Sequence, residues 1–546
     1  MEHRSRKASG NGCRLRNLTM SSTVIKYNGH LTPSDPLYHP VLIIGQPRNL
    51  SKISFEDVKS KLDPRVGEEV FKAAVSSLHP SPTDSCSMYL NLATLAALPT
   101  KCSRHNTPSH AHSLTKLVKS LSAGVDEYVV IVCERQDVFA SGCAVARAFP
   151  VFSRKSGLQQ QGSLPQPHTV TVEFLLVDSG GGRPLGEPEL RCLTATAEGI
   201  QLTAKIVDTP CQDMNTEAFI KAGGTEIEQV GNAVGLKPTI IKGEELKSRG
   251  FGGMYSVGRA AAHPPALVIL SHTPEGSQDT IAWVGKGIVY DTGGLCIKTK
   301  TAMCGMKRDC GGAAGILGAF YVAVKLGFSD NLHAIFCLAE NAVGPNATRP
   351  DDIITMYSGR TVEINNTDAE GRLVVGDGVA YAHKDLKANI ILDMATLTGA
   401  QGIATGKYHA AVVTNSSEWE ELCVRSGIVS GDLIHAMPFA PELHFSEFSS
   451  ALADMKNSVA DRNNAQPSCA GLFICSHLGF EFPGVWMHVD MAYPVHCGER
   501  ATGYGVALLL TLFGHCSKNP LLKELSSCCN INGTDVESAT KKIRLV

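Results

Sequence analysis

The sequence predicts an α/β protein with two domains, of which the C-terminal one has a mixed, largely parallel central sheet flanked by helices. Two observations support this. The chain has 546 residues, too many for one ordinary hydrophobic core. Its second half alternates short apolar, β-branched runs with segments of helical apolar spacing, which is typical of parallel strands joined by helices.

The chain divides into four predicted parts. We expect a disordered basic tail (1–34), an N-terminal α/β domain (35–195), a larger C-terminal domain (196–518) and a polar C-terminal tail (519–546). The first part is rich in arginine and poor in acids but lacks the apolar segment of a secretory signal. A mitochondrial presequence is the alternative, but the tail has no clear amphipathic face.

The N-terminal domain contains several local patterns. Strands are predicted at Pro40–Ile44, Tyr128–Cys133 and Thr169–Val177, a helix at Phe55–Leu62, and surface loops at 153–168 and 179–182. A further helix, carrying Ala197–Val207, is predicted to begin after the domain boundary near residue 195.

The C-terminal domain shows the alternation most clearly. Strands are predicted at Thr280–Val284, Ile288–Tyr290, Leu332–Leu338, Thr361–Asn365 and Ala388–Ala395, and helices at Gly312–Leu326 and Leu373–His383. In such sheets ligands bind where loops leave the carboxyl ends of the strands. We therefore expect the site at these loops.

The amino-acid composition limits the kinds of partner that the protein is expected to bind. The formal net charge is −2, so there is no overall basic field to hold nucleic acid or an anionic membrane surface. The longest strongly apolar stretch, about 505–512, is far shorter than the roughly 20 residues that cross a bilayer. Eighteen cysteines without a C-x-x-C pair indicate reduced thiols and a cytoplasmic protein.

Charged residues recur near the predicted strand ends after position 284. Lys286 lies between two glycines, Asp291 precedes a Gly-Gly pair, and Lys298 and Asp309 follow. Taken singly, each has an ordinary interpretation. Asp291 is a candidate turn cap, Asp309 a candidate helix N-cap, and the lysines are candidate solvated side chains.

A second cluster comes after the strand predicted at Thr361–Asn365. In an extended segment alternate side chains share a face, so Asp368, Glu370 and Arg372 are predicted to project into one cleft. Surface ion pairs would account for any one of them. Two carboxylates and an arginine together favour a metal or anion site.

Together these residues resemble the leucyl aminopeptidase (cytosol aminopeptidase) family. Lys286 in G-K-G is followed by Asp291, Lys298 and Asp309 at the family's spacing, and 366–373 is identical to its signature N-T-D-A-E-G-R-L. The resemblance covers roughly 200–515, includes A-T-L-T-G-A at 395–400 and W-M-H-V-D at 486–490, and is nearest to the animal "probable aminopeptidase-like" branch.

The resemblance implies a role for each matching residue. One metal ion would be held by Lys286, Asp291, Asp309 and Glu370, and the other by Asp291, Asp368 and Glu370. The metals would be zinc and/or manganese. Lys298 would bind and polarise the substrate carbonyl, Arg372 would hold bicarbonate, and Met306 and Thr396 would line the substrate pocket, for which ordinary packing is the alternative.

The implied function is a two-metal aminopeptidase that removes unsubstituted N-terminal residues from peptides and assembles as a homo-hexamer, with 196–518 as its catalytic domain. The alternative is a catalytically silent member acting as an oligomeric scaffold. A two-metal phosphoesterase would be expected to use more histidines, and His383 and His409 lack ligand-like spacing.

The sequence departs from the family pattern at four positions. The family's D-S-G-G has Thr292 here, Thr299 replaces a usual proline, and Gly376 and Gly378 replace alanines.

Overall fold

A computed structural model describes residues 23–155, 168–178, 183–220 and 226–529. The strands of the N-terminal part are β1 Thr23–Asn28, β2 Val41–Gly45, β3 Asp84–Tyr89, β4 Ala93–Ala97, β5 Glu127–Cys133 and β6 His168–Leu176. Its helices are α1 Pro47–Leu50, α2 Phe55–Leu62, α3 Glu68–Ser77, α4 Ala111–Leu121 and α5 Val138–Ala148, with a 3₁₀ turn at Arg135–Asp137.

These strands form one sheet in the order β1-β6-β5-β2-β4-β3, in which only β3 and β4 pair antiparallel. Strands β2 and β4 are buried at every position because helices cover both faces of the sheet. The predicted strand and helix positions in this domain are confirmed. The predicted loop at 179–182 and most of the one at 153–168 lie outside the described residues.

The prediction of a disordered tail over 1–34 is wrong at its C-terminal end. Strand β1 pairs in parallel with β6, with Ile25 opposite Val170. After the strand, the carboxylate of Glu173 accepts hydrogen bonds from the backbone N–H and the hydroxyl of Thr32, and it forms a fully buried ion pair with Lys61 at 2.7 Å. Pairing with a segment about 145 residues away orders this stretch.

Helix α6, Glu187–Asp208, runs without interruption through the predicted boundary near 195, so it begins earlier than the sequence indicates. It packs against α5 of the N-terminal domain and α12 (Gly311–Lys325) of the C-terminal domain. A buried ion pair between Arg147 and Asp432, 2.7 Å apart, also joins the two domains.

The second domain contains most of the secondary structure. Its strands are β7 Thr239–Lys242, β8 Ala266–His272, β9 Thr280–Asp291, β10 Asn331–Asn341, β11 Ile353–Thr355, β12 Thr361–Glu363, β13 Ile390–Ala395, β14 Ala410–Thr414, β15 Ile434–Ala436, β16 Met455–Lys456, β17 Val485–Asp490, β18 His496–Cys497 and β19 Arg500–Ala501.

The helices of this domain surround the sheet. After α7 Thr216–Ile220 they are α8 Glu226–Ala233, α9 Glu244–Ser248, α10 Gly252–Gly258, α11 Lys300–Met303, α12 Gly311–Lys325, α13 Gly371–Lys384, α14 Gly399–Ala404, α15 Ser417–Ser430, α16 Pro441–His444, α17 Gln466–Ser476, α18 Val506–Leu512 and α19 Pro520–Cys529. Three 3₁₀ turns lie at Met306–Cys310, Phe445–Phe448 and Gly514–Cys516.

An eight-stranded sheet in the order β15-β14-β17-β13-β9-β10-β8-β7 forms the centre of this domain. Strand β9 pairs in parallel with both β13 and β10, and β13 pairs in parallel with β17. Strand β8 is antiparallel to its neighbours β10 and β7, and β14 is antiparallel to β17. The predicted α/β fold, with two domains and a mixed central sheet, is confirmed. The two strands predicted between 280 and 290 are a single one, because the glycines inside it do not interrupt pairing.

The predicted polar tail from 519 onward is corrected in part. Helix α19 buries Leu521, Leu522 and Leu525 against the C-terminal domain, an apolar spacing that the polar residues between them obscure. Among the helices that the structure describes, none combines the length and the apolar character required to span a bilayer.

Candidate active site

The close packing of helix α12 against strand β9 positions the first two residues of the site. Lys286 lies within β9, and its neighbour Gly285 faces the helix, where an added Cβ would lie only 2.6 Å from the Cα of Ala313. Since no side chain fits there, the helix packs directly on the strand. The 3₁₀ turn before the helix, Met306–Cys310, thereby places Asp309 beside Lys286.

The ammonium group of Lys286 is held on several sides. Its Nζ donates hydrogen bonds to Asp309 Oδ1 at 2.8 Å and to the carbonyl oxygen of Thr396 at 3.0 Å, and it lies 3.0 Å from Glu370 Oε1. Burial lowers the pKa of Lys286, but the carboxylates of Asp309, Glu370 and Asp291 outweigh burial and raise it above its ordinary value. Without a metal the lysine is therefore charged.

The second lysine reaches the same carboxylates from a loop. Gly293 and Gly294 adopt left-handed backbone angles, with φ of 85° and 63°, which turn the chain back after β9. Lys298 then lies with its Nζ 2.8 Å from Asp291 Oδ2 and 2.5 Å from Asp368 Oδ1. Burial lowers the pKa of Lys298, and the neighbouring carboxylates, Asp291 first among them, raise it by more.

Three buried carboxylates form the centre of the cavity. Asp291, Asp309 and Glu370 each offer an oxygen within 4.8 Å of the others. Burial raises the pKa of Glu370 to about 8, and the charge of Asp291 adds to the effect; burial also raises the pKa of Asp309 and of Asp368. Asp309 Oδ2 and Glu370 Oε2 are buried without a hydrogen-bond partner. Such oxygens fit a divalent cation.

The segment from Asn366 to Arg372 is not extended, so the predicted alternation along a strand is wrong. The backbone N–H of Asp368 donates to Asn366 Oδ1 at 3.0 Å and closes a turn, and Glu370 has helical angles (φ −80°, ψ −34°) at the start of α13. Nevertheless Asp368, Glu370 and Arg372 all line one cavity. A turn followed by a helix brings them together.

Two asparagines that the sequence analysis missed hold the site in place. Asn341 Nδ2 donates to Asp291 Oδ1 at 2.8 Å and to the carbonyl oxygen of Thr367 at 3.0 Å. Asn457 Nδ2 donates to the carbonyl oxygens of Asn366 and Ala369 at 2.7 and 3.2 Å. The position of Asn341 at the carboxyl end of a strand was a signal for its role, whereas no local pattern marks Asn457.

Arg372 is buried next to the acidic cluster. Its Nη1 donates to the carbonyl oxygen of Asn457 at 3.1 Å, and its guanidinium carbon lies 5.9 Å from the ring centroid of Phe448. Its Nε has no hydrogen-bond partner. Burial lowers the pKa of Arg372 to about 10, so the group stays charged at neutral pH with donors to spare.

All the residues that the sequence nominated line one cavity of about 540 Å³: Lys286, Asp291, Lys298, Met306, Asp309, Asp368, Glu370, Arg372 and Thr396. The hydroxyl of Thr396 donates to Asp309 Oδ1 at 2.7 Å, so this residue also orients a carboxylate. His383 and His409 do not line the cavity, whereas His496, which was not nominated, does. The roles assigned to the individual residues stay predictions.

Comparison with known proteins identifies the family. Residues 201–510 match the model of the cytosol aminopeptidase family catalytic domain, and residues 39–158 match M17 aminopeptidase N-terminal domain 2. The chain belongs to the cytosol aminopeptidase (M17) family. Members of the M17 family are metal-dependent peptide hydrolases.

Individual M17 relatives cover nearly the whole chain. It is 60% identical over 531 residues to "Probable aminopeptidase NPEPL1" of Homo sapiens, covering 96% of this chain and 100% of that protein. Its identity to "Leucine aminopeptidase 1" of Caenorhabditis elegans is 43%, covering 89% and 96% of the two chains. The resemblance to the animal aminopeptidase-like branch is confirmed.

Solved M17 structures show the same fold. The structure of the Caenorhabditis elegans leucine aminopeptidase superposes with a TM-score of 0.84 at 41% identity, covering 91% of this chain and 99% of that one. The leucyl aminopeptidase of Trypanosoma brucei, solved in complex with actinonin, gives a TM-score of 0.78 at 37% identity, covering 88% and 92%.

Gly371 provides a test of the position of Lys286. A Cβ at Gly371 would lie 2.4 Å from Lys286 Cε and 2.6 Å from its Nζ, so Gly371→Ala should displace the lysine and reduce both bound metal and peptidase activity. A misplacement of about 1 Å can cost about 10²-fold in rate. The measurements are metal content and kcat/KM, with thermal unfolding to confirm the fold.

Gly399→Ala is the matched control for this substitution. Gly399 lines the same cavity, but a Cβ there meets no atom within 4 Å, so its metal content should equal that of the wild type. If Gly371→Ala keeps full metal content and activity, the described position of Lys286 beside Gly371 is wrong.

Proposed function

We propose that this protein is a two-metal aminopeptidase that removes unsubstituted N-terminal amino acids from peptides. The observation that carries the proposal is the buried cluster of Asp291, Asp309 and Glu370, with candidate ligand atoms within 4.8 Å of one another. Three buried carboxylates so close together repel one another strongly, so the folded protein needs cations among them.

The proposal requires donor atoms for two ions. We assign Lys286, Asp291, Asp309 and Glu370 to one metal and Asp291, Asp368 and Glu370 to the other, so Asp291 and Glu370 would serve both. The unpartnered oxygens of Asp309 and Glu370 support this assignment. Four carboxylates would balance two divalent ions, and oxygen with one amine nitrogen suits zinc and/or manganese.

The two lysines offset the carboxylates in the structure described here. Lys286 can serve as a ligand only as a neutral amine, and the charge of a nearby dication favours loss of its proton. Lys298 has ion-pair contacts with Asp291 and Asp368. With those carboxylates holding metal ions, the ammonium group of Lys298 would be available to bind the substrate.

The chain's own groups then perform the remaining tasks. Two divalent ions bound there would supply Lewis acidity and lower the pKa of water. Lys298 donates a hydrogen bond to the scissile carbonyl and to the oxyanion that develops on it. Arg372, whose planar guanidinium suits a bidentate anion, holds bicarbonate as the proton carrier. The substrate must also present a free, neutral α-amine, whose lone pair would bind in the metal site. This requirement restricts cleavage to the N-terminus.

The substrates, partners, oligomeric state and cellular location of the enzyme are also proposals. Peptides are the proposed substrates, nucleic acid is not an expected partner, and by family resemblance the chain forms a homo-hexamer. The described part of the chain contains seventeen free cysteines and no disulfide, which supports the reducing environment of the cytoplasm.

Two substitutions separate metal binding from catalysis. Glu370→Ala should lose metal and activity together, because the side chain is assigned to both ions. Lys298→Ala should keep about two equivalents of metal but lose turnover by roughly 10²–10³-fold, as expected for an oxyanion donor. Elemental analysis and kcat are the measurements. Equal metal loss in the two variants, or a metal-reconstituted wild type with none bound, would refute the assignment.

Acetylation of the substrate tests the requirement for a free amine. An N-acetylated leucyl peptide should resist cleavage, since its nitrogen is an amide without an available lone pair. The unmodified peptide and its C-terminal amide serve as controls, and product release is followed by chromatography. Comparable cleavage of blocked and free peptides would exclude the aminopeptidase mechanism.

Arg372 is tested through its response to bicarbonate. Arg372→Ala should retain both metals, lose much of its rate and lose any stimulation by bicarbonate, and Arg372→Lys should recover little because a point charge does not orient the anion. Since Arg372 also bonds Asn457, the melting temperature of each variant is measured alongside. Full activity with an unchanged bicarbonate response in the alanine variant would contradict the role.

A further inference from the structure

Two arginines that line the active-site cavity, Arg308 and Arg462, have no acidic partner among the described residues. Both line the cavity, yet neither forms an ion pair with a carboxylate anywhere in 23–155, 168–178, 183–220 or 226–529. Of the other cavity-lining cations, Lys286 and Lys298 each contact two carboxylates. Arg372 donates to the carbonyl oxygen of Asn457 and is already assigned to the bicarbonate. Arg308 and Arg462 therefore have neither a carboxylate partner among the described residues nor a role in the proposed metal and catalytic groups.

Arg308 lies in the 3₁₀ turn Met306–Cys310, directly before Asp309. Its Nη2 donates one hydrogen bond, to the carbonyl oxygen of Gly498 at 3.3 Å, while its Nε is buried without a partner. A guanidinium has five N–H donors, so most of its capacity is unused. A half-buried charge with so few partners gains from a ligand that brings a carboxylate.

Arg462 is presented at the edge of the cavity by an anchored loop. Glu447 accepts hydrogen bonds on both sides of it, from the backbone N–H of Asp461 at 2.9 Å and from Asn464 Nδ2 at 2.7 Å. Arg462 itself is exposed. The anchored loop fixes the position of Arg462 at the cavity, and its exposed side chain is free to contact a ligand.

The net charge of the metal-loaded cavity also favours a negatively charged ligand. Its lining carboxylates belong to Asp291, Asp309, Asp368 and Glu370. If two divalent ions neutralise these four groups, Lys298, Arg308, Arg372 and Arg462 leave the cavity positively charged, and one small anion on Arg372 offsets only part of this. Charge of one sign inside a concave, low-dielectric site attracts ligands of the opposite sign.

We propose that Arg308 and Arg462 bind a carboxylate of the substrate, so that this protein favours negatively charged peptides over neutral ones of the same shape. The inference rests on the proposed aminopeptidase function. The carboxylate has two possible sources, an acidic side chain on the N-terminal residue or the free C-terminus of a short peptide. The experiment distinguishes them.

Matched substrate pairs measure the preference. Glutamyl and glutaminyl arylamides differ only in the side-chain charge, and Leu-Gly and Leu-Gly-amide differ only at the C-terminus. At low ionic strength we expect the charged member of at least one pair to have a kcat/KM about tenfold higher, as for a charge-assisted hydrogen bond. The preference should shrink as salt is added.

Arginine variants then assign the contact. Arg308→Gln and Arg462→Gln should each reduce the preference in the pair whose carboxylate that arginine binds. Arg425→Gln is the control, because Arg425 is an arginine on the surface of α15 that does not line the cavity. It should leave both preferences as they are in the wild type.

Binding provides a readout that does not depend on turnover. Calorimetric titration with a Leu-Gly analogue that has a reduced peptide bond, as the acid and as the amide, should show the same charge preference and its loss in the responsible variant. A second analogue pair with glutamate and glutamine in first position tests the side-chain source.

The outcomes separate the two proposals. If leucyl arylamide is cleaved but the charged and neutral members of both pairs bind and react equally, the carboxylate site is refuted and the aminopeptidase function stands. If the metal-loaded protein cleaves no arylamide, the proposed function fails, and the binding preference alone decides the carboxylate site. A preference that neither arginine variant reduces also refutes it.

Discussion

Repulsion among the buried carboxylates of Asp291, Asp309 and Glu370 is the constraint on which the rest of the catalytic domain depends. Three such groups within 4.8 Å are costly to bury without compensating cations. Lys286 and Lys298 provide that compensation in the structure, and metal ions provide it in the proposed enzyme. The unpaired oxygens of Asp309 and Glu370 show that the lysines alone leave the compensation incomplete.

A rigid framework is needed to keep these charges together. The site rests on the centre of the sheet, where Asp291 at the end of β9 lies opposite Asn341 at the end of β10. Asn341 then joins that strand end to the turn before α13. Backbone that approaches so closely leaves no space for side chains, which explains glycine at 285 and 371. Polar support of this kind fixes the ligands before a metal arrives.

The two domains contribute differently. Every residue that lines the cavity belongs to the C-terminal domain. The N-terminal domain is nevertheless bound firmly to it through the shared helix α6 and the buried Arg147–Asp432 pair. Breaking a buried ion pair by removing one partner typically costs about 3–5 kcal/mol, so this contact resists separation of the domains. The chemistry is local, while the stability of the chain is distributed over both domains.

The sequence by itself determined which residues are candidates for the chemistry and most of the elements on which they lie. Spacing from Lys286 to Asp309 and the string at 366–373 identified the family, because ligand types and their order are local properties of the chain. Only the tertiary structure decided how distant segments meet. It paired Ile25 with Val170, ordering part of a predicted tail, and it brought Asn457 to the turn at 366–369. It also showed that Asp368, Glu370 and Arg372 share a cavity through a turn and a helix, and that Arg308 lacks an acidic partner in the part of the chain that the structure describes. Such contacts depend on packing between residues far apart in sequence, which the periodicity within a short window does not contain.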